Sequence, residues 1–202
     1  MKIFELFIDE EAEFNGVNAL SIVENPAIGE DFVALNSQDK PVLLAEMDAD
    51  KQILMGAALV PDRPIYRNMD GEEFYIFFSK ETVAKAAEVF FKKHNQNEAT
   101  LEHSEKLEGM TVFESWIVES SEHDKSRAYG LDVPEGTWMV SMKVDDKDVW
   151  DNYVKNNKVF GFSIEGQFAN KLMSEHYEQQ FSDQKLDKAL QNVKDILTEY
   201  FS

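Results

Sequence analysis

Apolar and polar positions begin to alternate at the first residues. Lys2 to Ile8 sets Phe4, Leu6 and Ile8 on one face and Ile3 and Phe7 on the other, which predicts a short, largely buried strand ended by the acidic run Asp9 to Glu13. Residues 15–50 are the least regular stretch. Asn25-Pro26 disfavours helix at Asn25, and Asn36 to Pro41 reads as a turn or linker. From Ile53 the pattern sharpens into a continuous apolar run to Val60, stopped by Pro61-Asp62-Arg63-Pro64. Ile65 to Arg67 and Glu73 to Phe78 flank Asp70-Gly71, the signature of a hairpin turn. Ser79 then caps a helix in which Val83, Ala86, Ala87, Phe90 and Phe91 recur with the spacing of one buried face. His94 to Asn97 ends it.

Three more apolar runs follow, Met110 to Val118, Thr137 to Val144 and Val159 to Phe168, with one or two helical turns predicted over Asp148 to Lys155. Ser182 to Phe201 carries Leu186, Leu190, Val193, Leu197 and Tyr200 on one stripe and predicts an amphipathic helix. The pattern divides the chain into a strand and irregular arm over 1–50, a body over 51–173, and a C-terminal helix within 174–202. The body reads as α+β, antiparallel strands forming a barrel or sandwich with helices outside.

Composition narrows the chemistry. Hydrophobic residues make up 43% and aromatics 12% of the 202 residues, enough for a packed core and too much for disorder throughout. No run reaches the length of a membrane span, and the opening Met1 to Leu6 lacks the basic and apolar regions of a secretory signal. Lys and Arg number 20 against 39 Asp and Glu, a net charge of −19, which argues against nucleic acid because phosphate binding draws on cations. With no cysteine there are no disulfides, thiolate nucleophiles or Cys-ligated metals. The four histidines form no metal-binding pair at i, i+4, and no phosphate-binding glycine loop occurs, so neither a metal nor a nucleotide cofactor is expected.

Serine chemistry remains. Gly161-Phe162-Ser163-Ile164-Glu165-Gly166 sets a small hydroxyl in a bulky apolar strand, between glycines that permit close backbone approach by a substrate strand. Serine needs a base to become a nucleophile, and His103, at the entry to the run from Met110, serves if the two strands meet. His176 is a second candidate, whereas His94 and His123 read as solvent-facing. Taken alone, a strand serine between glycines is more often structural, so the pair depends on its geometric context.

The ordered set Leu101-Glu102-His103, Val112 to Glu119, Gly136 to Met139, Val149-Trp150 and Gly161 to Gly166 resembles the tailed-phage prohead proteases. These are capsid-maturation serine proteases distantly related to herpesvirus assemblins. The resemblance spans about residues 53–168; Glu5 to Asp9, Val23 to Ile28 and Phe32 to Ala34 are also similar to the start of such phage proteins. It implies Ser163 as nucleophile, His103 as general base, and a small antiparallel β-barrel with flanking helices, herpesvirus-protease-like. The implied substrates are scaffolding protein, the scaffold-like part of the major capsid protein and the protease itself. They would be cut inside a procapsid assembled in the bacterial cytoplasm, with no membrane and no nucleic acid partner.

Related enzymes use an acid or a second histidine as third member. Glu114, a charge interrupting an apolar run, is the candidate here, with Glu119 the alternative on the opposite face. Glu165 shares a face with Ser163, as a carboxylate tuning the site or as an edge-strand charge. Arg127 is the candidate oxyanion donor, or else an exposed loop arginine. Trp116, Trp138 and Trp150 read as core anchors, Trp116 also as a groove lining. The competing expectation is a catalytically inactive protease-fold protein, a capsid-interior or auxiliary structural component. The C-terminal helix would be an oligomerisation or scaffold-binding arm, or would pack on the body.

Overall fold

The computed structural model describes residues 2–9, 11–12, 15–26, 45–48, 51–156 and 158–173. The strands are β1 (Lys2–Phe7), β2 (Gly16–Val23), β3 (Ala45–Asp48), β4 (Ile53–Leu59), β5 (Ile65–Met69), β6 (Glu72–Phe78), β7 (Ala99–Leu101), β8 (Glu105–Leu107), β9 (Met110–Ile117), β10 (Trp138–Val144), β11 (Gly161–Gln167) and β12 (Ala169–Leu172). One full helix, α1 (Lys80–Lys92), and a short one, α2 (Lys147–Val149), continued by a π-helical turn Trp150–Val154, complete the main elements. The fold is α+β and rich in sheet. Three four-stranded sheets are ordered β12-β1-β6-β5, β3-β4-β10-β9 and β11-β2-β7-β8. Among the described residues no helix is long and apolar enough to cross a membrane.

The expected hairpin is β5–β6, turning at Asp70 and Gly71, both with positive φ. The expected helix is α1, its first turn capped by the Ser79 hydroxyl accepting from Thr82 N, with Val83, Ala86, Ala87 and Phe90 buried. It packs on β2 and β10, where Phe90 meets Trp138 edge to face at 5.4 Å. Strand β10 runs between β4 and β9, with Trp138, Val140, Met142 and Val144 turned to the main core and Met139 to a second cluster around Met55, Val118 and Leu131. Buried Trp138 and Trp150 are core anchors, as the sequence suggests.

The N-terminal stretch differs from its irregular reading. Residues 16–23 form a strand at the interior of a sheet, with Val17, Leu20 and Ile22 in the main core. Strand β1 pairs with β12 antiparallel and with β6 parallel; β2 pairs with β11 antiparallel and with β7 parallel. Because β11 and β12 are separated only by Phe168, β1–β2 and β11–β12 run alongside each other as one ribbon passing from the first sheet into the third. Two short strands, β7 and β8, escape the sequence pattern because three residues are too few for a period, and Glu105-Lys106 is polar. The predicted helix Ser182 to Phe201 and the turn at Asn36 to Pro41 lie outside the described residues.

Candidate active site

The third sheet has two unlike faces. Leu20, Ile22, Ala99, Leu101 and Phe162 turn inward to the core. The other face carries Ser163, Ser21 and Thr100 side by side, because Ser163 is the register partner of Ser21 and Ser21 that of Thr100. Glu165 follows Ser163 on that same face by the two-residue period of a strand. Three adjacent strands thus present a row of hydroxyls and a carboxylate where alternation alone would allow any side chain.

His103 reaches this row from the turn between β7 and β8. Glu102 and His103 both hold left-handed backbone, φ 50 and 55, a conformation uncommon outside glycine. The tip is tied down from several directions. Ser104 N donates to Leu101 O at 3.0 Å and Glu102 N to Ile22 O at 3.2 Å. Glu24 N donates to the Glu102 carboxylate at 2.6 Å, and His103 N to the Ser21 hydroxyl at 3.0 Å. Ser21 is fully buried, and its hydroxyl donates to Thr100 O at 3.3 Å.

The imidazole meets a carboxylate. His103 Nδ1 lies 3.2 Å from Glu165 Oε1, and the same oxygen accepts the Thr100 hydroxyl. An ionised carboxylate can only accept, so the contact requires the proton on Nδ1 and leaves the Nε2 lone pair free to take another. Ser163 is 6% exposed and makes no hydrogen bond to His103 among the described residues. The two are nonetheless neighbours, since the backbone of His103 sits on Ser21, whose Cα is paired with that of Ser163.

Glycine does different work from that expected. A Cβ on Gly161 would stand 2.6 Å from Pro26 Cγ, and one on Gly166 only 2.2 Å from the carbonyl oxygen of Gly16. The close approaches are made by the chain itself. A register shift between Glu165 and Gly166 accompanies the second, bending β11 where the carboxylate is presented.

The remaining candidates lie elsewhere. Glu114 is on β9 in the second sheet, where it accepts from Ser141 Oγ at 2.6 Å and pairs with Lys125. Burial pushes its carboxyl up, but the Lys125 and Ser141 hydrogen bonds and the lysine's charge outweigh this and hold it below the usual range. Glu119 is exposed beyond the end of β9, so strand alternation does not govern it. The carboxylate on His103 is therefore Glu165, and the charge that interrupts β9 is satisfied locally. Arg127 donates to Ser121 O and pairs with Asp132 at 2.9 Å, within its own loop. Trp116 is half-buried, donating to Asp124 with Lys125 over its ring. His123 contacts Ser120 in an exposed loop, His94 is exposed, and His176 lies outside the described residues.

Thr100 and Ser21 were missed. Ser21 was visible by the criterion that singled out Ser163, a small hydroxyl between bulky apolar neighbours, here Leu20 and Ile22. Compared with known proteins, residues 41–172 match the family model of the phage serine protease XkdF, more than half of the chain. No curated protein and no solved structure matches the chain.

Proposed function

Because the chain belongs to the phage serine protease XkdF family, we propose that it is a serine endopeptidase with Ser163 as nucleophile, His103 as general base and Glu165 as the acid that orients the imidazole. The observation that carries this reading is the double attachment of His103. Its ring is held by Glu165, two residues from Ser163 on one face, and its backbone by Ser21, the register partner of Ser163.

In the reaction His103 Nε2 takes the Ser163 proton as the oxygen bonds to the scissile carbonyl carbon. The tetrahedral intermediate collapses with cleavage of the C–N bond, the amine leaving with the proton from Nε2. Water then attacks the acyl ester, giving a proton to Nε2 that returns to Ser163 as the ester bond breaks, and the acid product departs. The Glu165 carboxylate keeps its contact with Nδ1 and stabilises the imidazolium formed in each half-reaction. The resemblance to prohead proteases supports a role in capsid maturation. The substrates are scaffolding protein, a segment of the major capsid protein and the protease itself, cut in the procapsid interior, and the sheets close into a small herpesvirus-protease-like barrel. Copies associate through the 174–202 segment.

The near-complete burial of Ser163 favours a second reading, a structural capsid component that keeps the fold without using the site. The two separate in one experiment. The chain is co-produced with the scaffold and capsid proteins of its phage, and cleavage is followed by mass spectrometry. Ser163→Ala and His103→Ala variants that fold normally are expected to lose roughly 10³-fold or more of the processing rate. Processing undiminished in both variants overturns the enzymatic reading.

A further inference from the structure

Resting on that reading, we infer that Thr100 and Ser21 are positioning residues, which fix the proton-accepting nitrogen of His103 without touching substrate. A closed circuit of hydrogen bonds supports the assignment. From the backbone N of His103 it runs to Ser21 Oγ and on to Thr100 O; from the Thr100 hydroxyl it continues to Glu165 Oε1 and back to His103 Nδ1. Two of the links join strands, Ser21 of β2 to Thr100 of β7 and Thr100 to Glu165 of β11, and the other two fasten the His103 turn to β2 and to β11.

The two residues constrain different freedoms. A carboxylate on an isolated strand position rotates about its last two bonds, and Glu165 is about a third exposed, so burial does not hold it. The Thr100 hydroxyl, rigidly placed by a β-branched side chain, gives Oε1 a second fixed donor and removes that rotation. Ser21 acts on the backbone instead. His103 stands in left-handed geometry on a turn exposed to solvent, and its amide is held from below by a hydroxyl that is itself wholly buried. Together they settle both where the imidazole starts and which way it points. A base displaced by about 1 Å can lose as much as 10²-fold in rate.

The test uses a fluorophosphonate, which bonds to an activated serine oxygen through phosphorus and releases fluoride, so no natural substrate is needed. Intact-protein mass spectrometry gives the saturating rate and the half-saturating concentration of Ser163 modification. Thr100→Val keeps the side-chain shape and strand preference but lacks the hydroxyl, and is expected to lower the saturating rate by roughly tenfold with little change in half-saturation. Thr100→Ser is expected to restore most of that rate. In a Glu165→Gln background the same Thr100→Val change is expected to add almost nothing, because the hydroxyl acts through the carboxylate. Ser21→Ala is expected to lower the saturating rate in either background.

A Thr100→Val variant modified at the unaltered rate, or a loss of equal size with and without Glu165, overturns the assignment while leaving the protease reading intact. If the unaltered chain is not modified at Ser163, the protease reading fails, and the circuit is judged by imidazole ¹⁵N spectra. These are expected to show the Nδ1–H tautomer of His103 in the unaltered chain and in Thr100→Ser, and a loss of that preference in Thr100→Val. Spectra identical in all three overturn it.

Discussion

Glu114 illustrates how a charged residue can be needed by the fold and not by the site. Its carboxylate sits over Ser141, a fully buried serine in β10, and its partner Lys125 also covers Trp116. The carboxyl is held below its ordinary range, so the ionised form is favoured by folding. The stabilisation is present above the unfolded carboxyl's range and is lost as pH falls through the lower folded value. Both partners are over a third exposed, which caps the effect. Glu114→Gln is expected to destabilise at pH 7 by at most about 1 kcal/mol. That difference from the unaltered chain should shrink as urea melts are repeated at progressively acidic pH, and a constant difference would contradict the linkage. Activity, measured by fluorophosphonate modification, should hardly change. The sequence pointed to Glu114 because an interrupted apolar run marks a charge that needs a partner. It does not say which partner, and lysine and serine answered where histidine was expected.

At the scale of elements, β11 does two things that one strand period cannot reconcile. It must set Ser163 and Glu165 on one face, and it must lead within one residue into β12, which belongs to another sheet. The register shift after Glu165 separates these tasks, and it works only because Gly166 lets the carbonyl of Gly16 approach where a side chain would stand. Gly166→Ala forces a Cβ against the carbonyl of Gly16, and is expected to cost roughly 1–3 kcal/mol or more in urea melts and to displace Glu165 as well. A variant as stable as the unaltered chain would mean that the bulge is not held by this contact. Elements with long, regular patterns were legible in the sequence: α1 from its five apolar positions and cap, the β5–β6 hairpin from Asp70-Gly71, β10 from its apolar run. Those specified by tertiary pairing were not. Strand β2 carries apolar residues on both faces and so no clean alternation, β7 exists because β2 offers it an edge, and β8 because β7 does.

For the whole molecule, the first and last strands of the described body belong to one ribbon. A chain starting at residue 51, the boundary suggested by pattern alone, lacks β1 and β2. It leaves β11 and β12 without the partners they have here and separates β11 from β7. Such a fragment is expected to show no cooperative thermal transition by circular dichroism, and a cooperative melt would contradict the ribbon's structural role. The apolar faces visible in the sequence foretold a packed α+β body. Which strands are neighbours is a property of long-range pairing, carried by no local period, and so the polar row on the third sheet could not be read in advance.

The ribbon also has a consequence in time. A ribosome delivers β2 before β7 and β11 after both, while the contacts uniting His103 with Ser21 and with Glu165 span 82 and 62 positions of chain. A half-made polypeptide therefore holds the imidazole and lacks the hydroxyl it would activate. If Ser163 is the nucleophile, cutting power arises in a single step, the pairing of β11 with β2, after the imidazole is already in place.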